Sequence, residues 1–154
     1  MDCNIKDIVN KLRNIQWWWS YSNSELTDLA ILIIKNAISL EYIKHYDINT
    51  YRTLANNSPD ILKNIPIDTT DKSIDHTKIK FAISKILSQF EFEYHTDIGL
   101  IADIFDHKNN IPIECGFTTP NKIIKYLKKY KEVWLIDYPS FKNGTIIKFK
   151  QKMF

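Results

Sequence analysis

The sequence predicts an α/β domain with a mixed central sheet flanked by helices, preceded by a helical N-terminal region. Before His45, apolar residues recur at the three- and four-residue spacing of amphipathic helices. From Phe90 onward, short alternating or continuous apolar runs are typical of strands instead. A helical pattern separates two of these runs, and a strand-helix-strand connection favours parallel pairing. Hairpin-paired strands together with one parallel pair indicate a mixed sheet.

Length and composition favour a single folded unit. A chain of 154 residues with 44% hydrophobic content can bury one substantial core. The charge-dense segment 68–75 separates a helical N-terminal region, residues 1–74, from an α/β core, residues 75–154, and we expect one compact domain overall. The two cysteines make no disulfide framework, and the amphipathic N-terminus lacks the apolar centre of a secretory signal. We therefore expect a cytoplasmic protein with no membrane contact.

The N-terminal region should contain two long helices. Helical spacing of apolar residues predicts the first from Asn4 to Ile15. The second should run from about Glu25 to about His45, because Ser22 or Ser24 can cap an apolar series that extends to residue 38.

Three consecutive tryptophans, Trp17, Trp18 and Trp19, lie between these two helices. They are interpreted either as a hydrophobic hinge or as an exposed platform for a dimer contact or for stacking on unpaired bases. The sequence leaves both interpretations open.

The core should alternate a helix, three strands, a second helix and two further strands. Residues 78–89 have helical periodicity, and residues 90–95 alternate with Phe90, Phe92 and Tyr94 on one face. Turn residues at 106–110 predict antiparallel pairing of strands at 100–106 and 111–116.

A proline at the first position of the next helix gives its start. Thr119 and Pro120 predict an N-cap and a helix that runs to about Lys131. The apolar run EVWLIDY that follows predicts a central strand, parallel to the strand before the helix. Asn143 and Gly144 then predict a tight turn into a last edge strand, Thr145 to Lys150.

Two carboxylates fall on neighbouring strands of this core. Alternation puts Asp103 on one face with Ile101 and Phe105, and puts Glu114 on a face of the next strand. If both faces lie on the same side of the sheet, the carboxylates converge on a site suited to a hard divalent cation. Burying either acid unpaired would be costly, so a metal ion or a lysine is expected beside them.

The segment from about Lys78 to Lys150 resembles the PD-(D/E)XK nuclease superfamily in its order of helices and strands. Asp103 and Glu114 lie on its second and third strands, where that superfamily has its acidic residues. The resemblance is to divergent members in particular, the competence-associated and Holliday-junction nucleases. The resemblance implies a restriction-endonuclease-like fold and hydrolysis of DNA phosphodiester bonds with Mg²⁺ or Mn²⁺. It implies Asp103 and Glu114 as metal ligands and Cys115 as a further ligand through its carbonyl, with its side chain on the opposite, buried face.

The chain departs from the superfamily pattern at two positions. Gly116 stands where the motif lysine is expected, and Ala102 precedes Asp103 where proline is common. Some relatives supply the cation from the following helix, so the resemblance makes Lys122 the leading catalytic lysine and Lys125 a weaker substitute. If neither lysine reaches the carboxylates, the expected alternative is an inactive nuclease-fold protein that binds nucleic acid or serves as an assembly module.

Other charged positions have two interpretations each. Lys122, Lys125, Lys128 and Lys129 form either a track for phosphate contacts or an ordinary solvated helix face. For Glu91 and Glu93, one interpretation is that they supply a third ligand to the metal, and the other is that they lie on a solvated strand face.

Two further expectations concern partners. The helix start at Thr119 offers a weaker possibility, a phosphate-binding site. The expected partner is nucleic acid, DNA rather than RNA, and a homodimer would suit the tryptophan cluster.

Overall fold

The computed structural model describes residues 4–15, 18, 21–44, 79–80, 83–116, 118–136 and 145–152. Within these ranges, three helices with defined bounds flank a six-stranded sheet. In chain order, the elements are α1 (Ile5–Leu12), α2 (Asn23–Lys35), β1 (Ile38–Lys44), β2 (Phe90–His95), β3 (Ile101–Asp106), β4 (Ile111–Cys115), α3 (Pro120–Lys129), β5 (Glu132–Ile136) and β6 (Thr145–Gln151). None of the helices described is long and apolar enough to cross a membrane.

The sheet is mixed, as predicted. Its strand order is β1-β6-β5-β4-β3-β2. The pairing of β4 with β5 is parallel, because α3 returns the chain to the same end of the sheet, and the other four pairings are antiparallel. The fold class, an α/β domain with a mixed sheet flanked by helices, is therefore confirmed.

The predicted second helix is wrong beyond Lys35. Ser22 caps α2 by accepting the backbone N–H of Glu25, and α2 ends at Lys35. Ala37 then adopts a left-handed conformation with φ of 51°, which turns the chain into β1. Because β1 pairs with β6 along its full length, β6 is an interior strand and not the predicted edge strand. The N-terminal region is thus only partly helical.

The predicted helix over residues 78–89 also ends early. Ile79, Lys80, Ile83 and Ser84 are helical, but the chain turns at residues 85–86 and is no longer helical at Leu87. Residues 78, 81 and 82 lie outside the described part of the chain, as does the predicted turn at residues 143–144.

Two hydrophobic clusters cover the two faces of the sheet. The helix-side core joins α1, α2 and α3 to sheet residues that include Ala102, Phe105, Leu135 and Phe149. The opposite core joins Ile79 and Ile83 to Ile104, Ile113, Cys115, Trp134, Ile136 and Ile146. Successive residues of β5 alternate between the two cores, as the period of two in a strand requires.

This alternation is interrupted in the middle of the paired strands β2 and β3. Phe92 packs against the opposite core while Tyr94 packs against the helix-side core, so the predicted single apolar face of β2 is wrong. On β3, Ala102 belongs to the helix-side core and Ile104 to the opposite core. Both strands therefore change face at the same point, between their pairs Phe92↔Ile104 and Tyr94↔Ala102. Glu93 lies at this point with φ of 50°, a strained conformation for a residue other than glycine.

Trp18 connects the N-terminal region to the core. Its side chain is fully buried, and its indole N–H donates to the backbone oxygen of Thr118 at 2.8 Å, in the loop before α3. This contact agrees with the hydrophobic interpretation for Trp18. Trp17 and Trp19 lie outside the described residues, so the structure leaves the exposed-platform interpretation untested for them.

Candidate active site

Glu114 is the centre of the site. It lies near the end of β4 and is only 3% exposed. Its Oε1 accepts a hydrogen bond from Nζ of Lys122 at 2.7 Å, and its Oε2 accepts one from the hydroxyl of Tyr126 at 3.0 Å. Because buried carboxylate oxygens need donors, these two contacts allow a glutamate to occupy an otherwise apolar environment.

The two donors come from one face of α3. Thr119 caps this helix by accepting the backbone N–H of Lys122, and Pro120 occupies its first turn. Lys122 and Tyr126 are four residues apart, so their side chains lie one above the other. Nζ of Lys122 also donates to the backbone oxygen of Ile101 at 3.1 Å, which ties α3 to the beginning of β3. Lys122 therefore reaches Glu114 on β4 from the first turn of α3.

Asp103 reaches the same place from β3. The pair Ile104↔Ile113 sets the register, and one step further along the strands Asp103 lies opposite Glu114. The described backbone pairing stops before this step, and Oδ2 of Asp103 instead accepts the backbone N–H of Cys115 at 2.8 Å. The expectation that Ile101, Asp103 and Phe105 share a face is wrong, because the alternation changes between Ala102 and Ile104. Asp103 nevertheless lies close enough for its charge to act on Glu114.

Burial has the largest effect on the ionisable groups of the site. Burial, and secondly the charge of Asp103, raises the pKa of Glu114 to about 8, although Lys122 and Tyr126 act in the other direction. Burial and the nearby Glu114 likewise raise the pKa of Tyr126, so this phenol stays a hydrogen-bond donor. Lys122 and Tyr126 do not fully offset the cost of ionising the buried Glu114 beside Asp103, and an additional cation would lower the pKa of Glu114.

Cys115 contributes no thiolate to the site. Its side chain is buried in the opposite core, as predicted. Burial, followed by the charges of Asp103 and Glu114, raises the pKa of this thiol well above its ordinary value. A protonated thiol is a poor metal ligand, so only the backbone carbonyl of Cys115 remains as the proposed ligand.

The carboxylates of Asp103 and Glu114 are the side chains of the site that could hold a metal ion. Within the described ranges, no group of three or more His, Cys, Asp or Glu side chains is placed to hold a metal ion. Asp103 and Glu114 provide two carboxylates, which is the usual protein contribution to a Mg²⁺ site whose other ligands are water and phosphate oxygens. Two carboxylates, with no third such side chain beside them among the described residues, do not form a closed structural metal site.

The predicted basic track divides into two parts. Lys125 and Lys128 line a groove of about 490 Å³ between α2 and α3, together with Lys35 on the facing wall. The groove is also lined by Asp28, Ile31, Leu32, Asn121 and Ile124. Lys129 instead forms an ion pair with Asp97 at 3.0 Å. Sequence reasoning missed Lys35, since nothing local indicates that α2 packs beside α3.

Most of the remaining candidates are paired elsewhere. Glu91 lies 3.5 Å from the imidazole of His107, and Glu93 forms an ion pair with Lys80. At the start of α3, Pro120 has no N–H, and the N–H groups of Lys122 and Ile123 bond to Thr119. The start of this helix therefore has few donors to offer to a phosphate.

Comparison with known proteins gives no match to a family model, to a curated protein or to a solved structure.

Proposed function

We propose that this protein is a metal-dependent nuclease that hydrolyses DNA phosphodiester bonds, on a restriction-endonuclease-like variant of the α/β fold. The observation that carries the proposal is the contact between Nζ of Lys122 and Oε1 of Glu114, with Asp103 beside them. Two acids and a lysine are the groups that the PD-(D/E)XK resemblance requires, and here the lysine comes from the helix after β4.

Each residue of the site has a separate task in this proposal. Asp103 and Glu114, with the carbonyl of Cys115, would hold Mg²⁺ or Mn²⁺, and this ion would polarise the phosphate and lower the pKa of the attacking water. Tyr126 fixes the orientation of the Glu114 carboxylate through its hydroxyl. Lys122 uses two of its three N–H donors on Glu114 and Ile101. Its third donor would steady a phosphate oxygen as negative charge develops there.

The groove between α2 and α3 supports nucleic acid as the substrate. Lys125 and Lys128 lie on the helix that carries Lys122, one and two turns beyond it, and Lys35 faces them. Lysines on two walls of one groove are suited to a phosphate backbone, which runs past several cations at once. The groove is lined by none of Asp103, Glu114 and Lys122, so it supports nucleic-acid binding beside the carboxylates and not the path of a strand to them.

The first test is cleavage of supercoiled, linear and single-stranded DNA with Mg²⁺ or Mn²⁺. We expect the parent protein to cut at least one of these substrates, and chelation of the metal should stop the reaction. Asp103→Asn and Glu114→Gln keep the size of each side chain but remove its charge, so cleavage should fall at least ~100-fold in each. Glu91→Gln, an exposed acid on β2, should cut like the parent.

One observation favours a second function, an inactive nuclease-fold protein that binds nucleic acid. Both oxygens of Glu114 already accept hydrogen bonds from Lys122 and Tyr126, so a metal ion must compete with donors of the chain itself. The same assay separates the two functions. A parent protein that binds DNA and cuts none of the substrates with either metal would replace the nuclease proposal by this one.

The groove makes a separate prediction about binding. Lys35→Gln, Lys125→Gln and Lys128→Gln should each weaken DNA binding and lower the slope of log affinity against log salt by about one, because each removes one phosphate contact. Lys129→Gln is the matched control on α3, since Lys129 pairs with Asp97 outside the groove. Fluorescence anisotropy over a range of salt concentrations measures both quantities. Equal slopes for the Lys125→Gln and Lys129→Gln proteins would contradict the placement of DNA in this groove.

A further inference from the structure

An ion pair lies at the one point where β2 and β3 both change face. Lys80 is fully buried, although lysine is rarely buried without a specific partner. Its ammonium pairs with the carboxylate of Glu93, whose side chain is 37% exposed. This contact joins the helical residues Ile79–Lys80, which lie over the opposite core, to the middle of β2.

Glu93 is the residue that faces Asp103 across the two strands. The flanking pairs Phe92↔Ile104 and Tyr94↔Ala102 place Glu93 and Asp103 opposite each other, yet these two form no backbone pair. Glu93 instead has φ of 50°, in the left-handed region that a glutamate rarely adopts without support from its surroundings. The distortion of β2 and the change of face at Asp103 are therefore one local feature of the sheet.

The same feature determines what Asp103 can reach. A regular β3 would hold Asp103 inside the ladder with β4. Here, after the pair Ile104↔Ile113, Oδ2 of Asp103 accepts the backbone N–H of Cys115. We propose that the ion pair between the buried Lys80 and the half-buried Glu93 holds β2 and β3 in this distorted form, and so positions Asp103 beside Glu114.

Lys80 and Glu93 are positioning residues, since they act through Asp103. Groups that orient a metal ligand commonly change metal affinity by 10- to 100-fold when they are removed. The inference rests on the proposed function in one respect only, that Asp103 is a ligand of the metal. The position of Asp103 itself can be measured without metal or DNA.

The test uses the double variant Lys80→Met/Glu93→Gln, which removes both charges and leaves no buried unpaired lysine. The backbone N–H of Cys115, which bonds to Asp103, should exchange with solvent at least about tenfold faster than in the parent. The neighbouring N–H of Gly116 bonds to the oxygen of Ile136 and should exchange at the parental rate. Amide exchange followed by NMR gives both rates in one experiment.

A second variant guards against misfolding. Lys80→Met/Glu93→Asn keeps a residue that tolerates the left-handed conformation, and it should give the same faster exchange at Cys115. Mn²⁺ should bind either folded variant 10- to 100-fold more weakly than the parent. The exposed pair Lys129–Asp97 gives the control Lys129→Met/Asp97→Asn, which should change neither quantity.

The outcomes separate this inference from the nuclease proposal. Parental exchange at Cys115 in either folded double variant would overturn the positioning role, whatever the protein does to DNA. Faster exchange at Cys115 together with a parent protein that cuts no DNA would uphold the positioning role and count against the nuclease.

Discussion

Replacing Lys122 by methionine should reduce DNA cleavage by at least ~100-fold, because the variant lacks the only cation seen to contact Glu114 among the described residues. The same change should destabilise the protein at pH 8 by roughly 1 kcal/mol, since the buried carboxyl group of Glu114 loses a hydrogen-bond donor and the ionic partner of its half-ionised form. At pH 5 the loss should be smaller, because the raised pKa of Glu114 lets this residue be neutral in the folded protein. Chemical denaturation at the two pH values measures the difference.

A double variant separates the two consequences. Lys122→Met/Glu114→Gln has no buried charge at this contact, so its stability at pH 8 should recover most of the loss. Its cleavage should stay at the level of the single variants, since both the metal ligand and the lysine are gone. Lys125→Met, an exposed lysine one turn further along α3, should leave stability unchanged. Equal stability of the parent and Lys122→Met at pH 8 would show that the contact with Glu114 is unimportant for the folded state.

The second large effect is on stability as a function of pH. The folded pKa of Glu114 is about 8, whereas an unfolded glutamate has a pKa near ~4.3. Between these values the folded state binds the additional proton, so the free energy of unfolding should fall as pH rises, by at most about 1.4 kcal/mol per pH unit. The contribution is complete below pH ~4.3 and is lost once the pH passes about 8.

Glu114→Gln is the control for this dependence. Glutamine can accept the hydroxyl of Tyr126 as Glu114 does, but it does not titrate. The stability of the variant relative to the parent should therefore increase steadily from pH 5 to pH 8, as followed by urea denaturation at each pH. Parallel curves for the two proteins would mean that Glu114 titrates near its ordinary pKa.

The elements that were predicted correctly have strong local signals. Thr119 and Pro120 mark the start of α3, and the capped helix in the structure begins there. The short apolar runs of β3, β4 and β5 are bounded by turn residues, and all three strands form where they were predicted. Local capping and alternation act through neighbouring residues, so the sequence alone was sufficient for these elements.

The errors concern pairings between residues far apart in the chain. Residues 38–44 follow the apolar spacing of α2, which predicts that the helix continues through them. They form β1 instead, because β6 supplies a partner strand. Nothing local in the sequence marks Ala37 as left-handed. The change of face at Glu93 and Asp103 was missed for the same reason, since it involves a buried lysine from another element.

The candidate site was only partly predictable. Asp103, Glu114 and Lys122 were named from strand order and family resemblance, and the structure places all three together. Tyr126 was missed, although its spacing of four residues from Lys122 on a predicted helix was a usable signal. The role of Lys80 had no signal in the sequence, because its partner Glu93 is reached only through the fold.

The most direct measurement is the binding of Mn²⁺ to the metal-free protein at pH 8, followed by the loss of the electron paramagnetic resonance signal of free Mn²⁺. The proposed site predicts one bound ion in the parent, with binding at least ~100-fold weaker in both Asp103→Asn and Glu114→Gln, and parental binding in Glu91→Gln. Mn²⁺ binding that is equally strong in the parent and in both site variants, or absent from the parent, would contradict a metal site at Asp103 and Glu114.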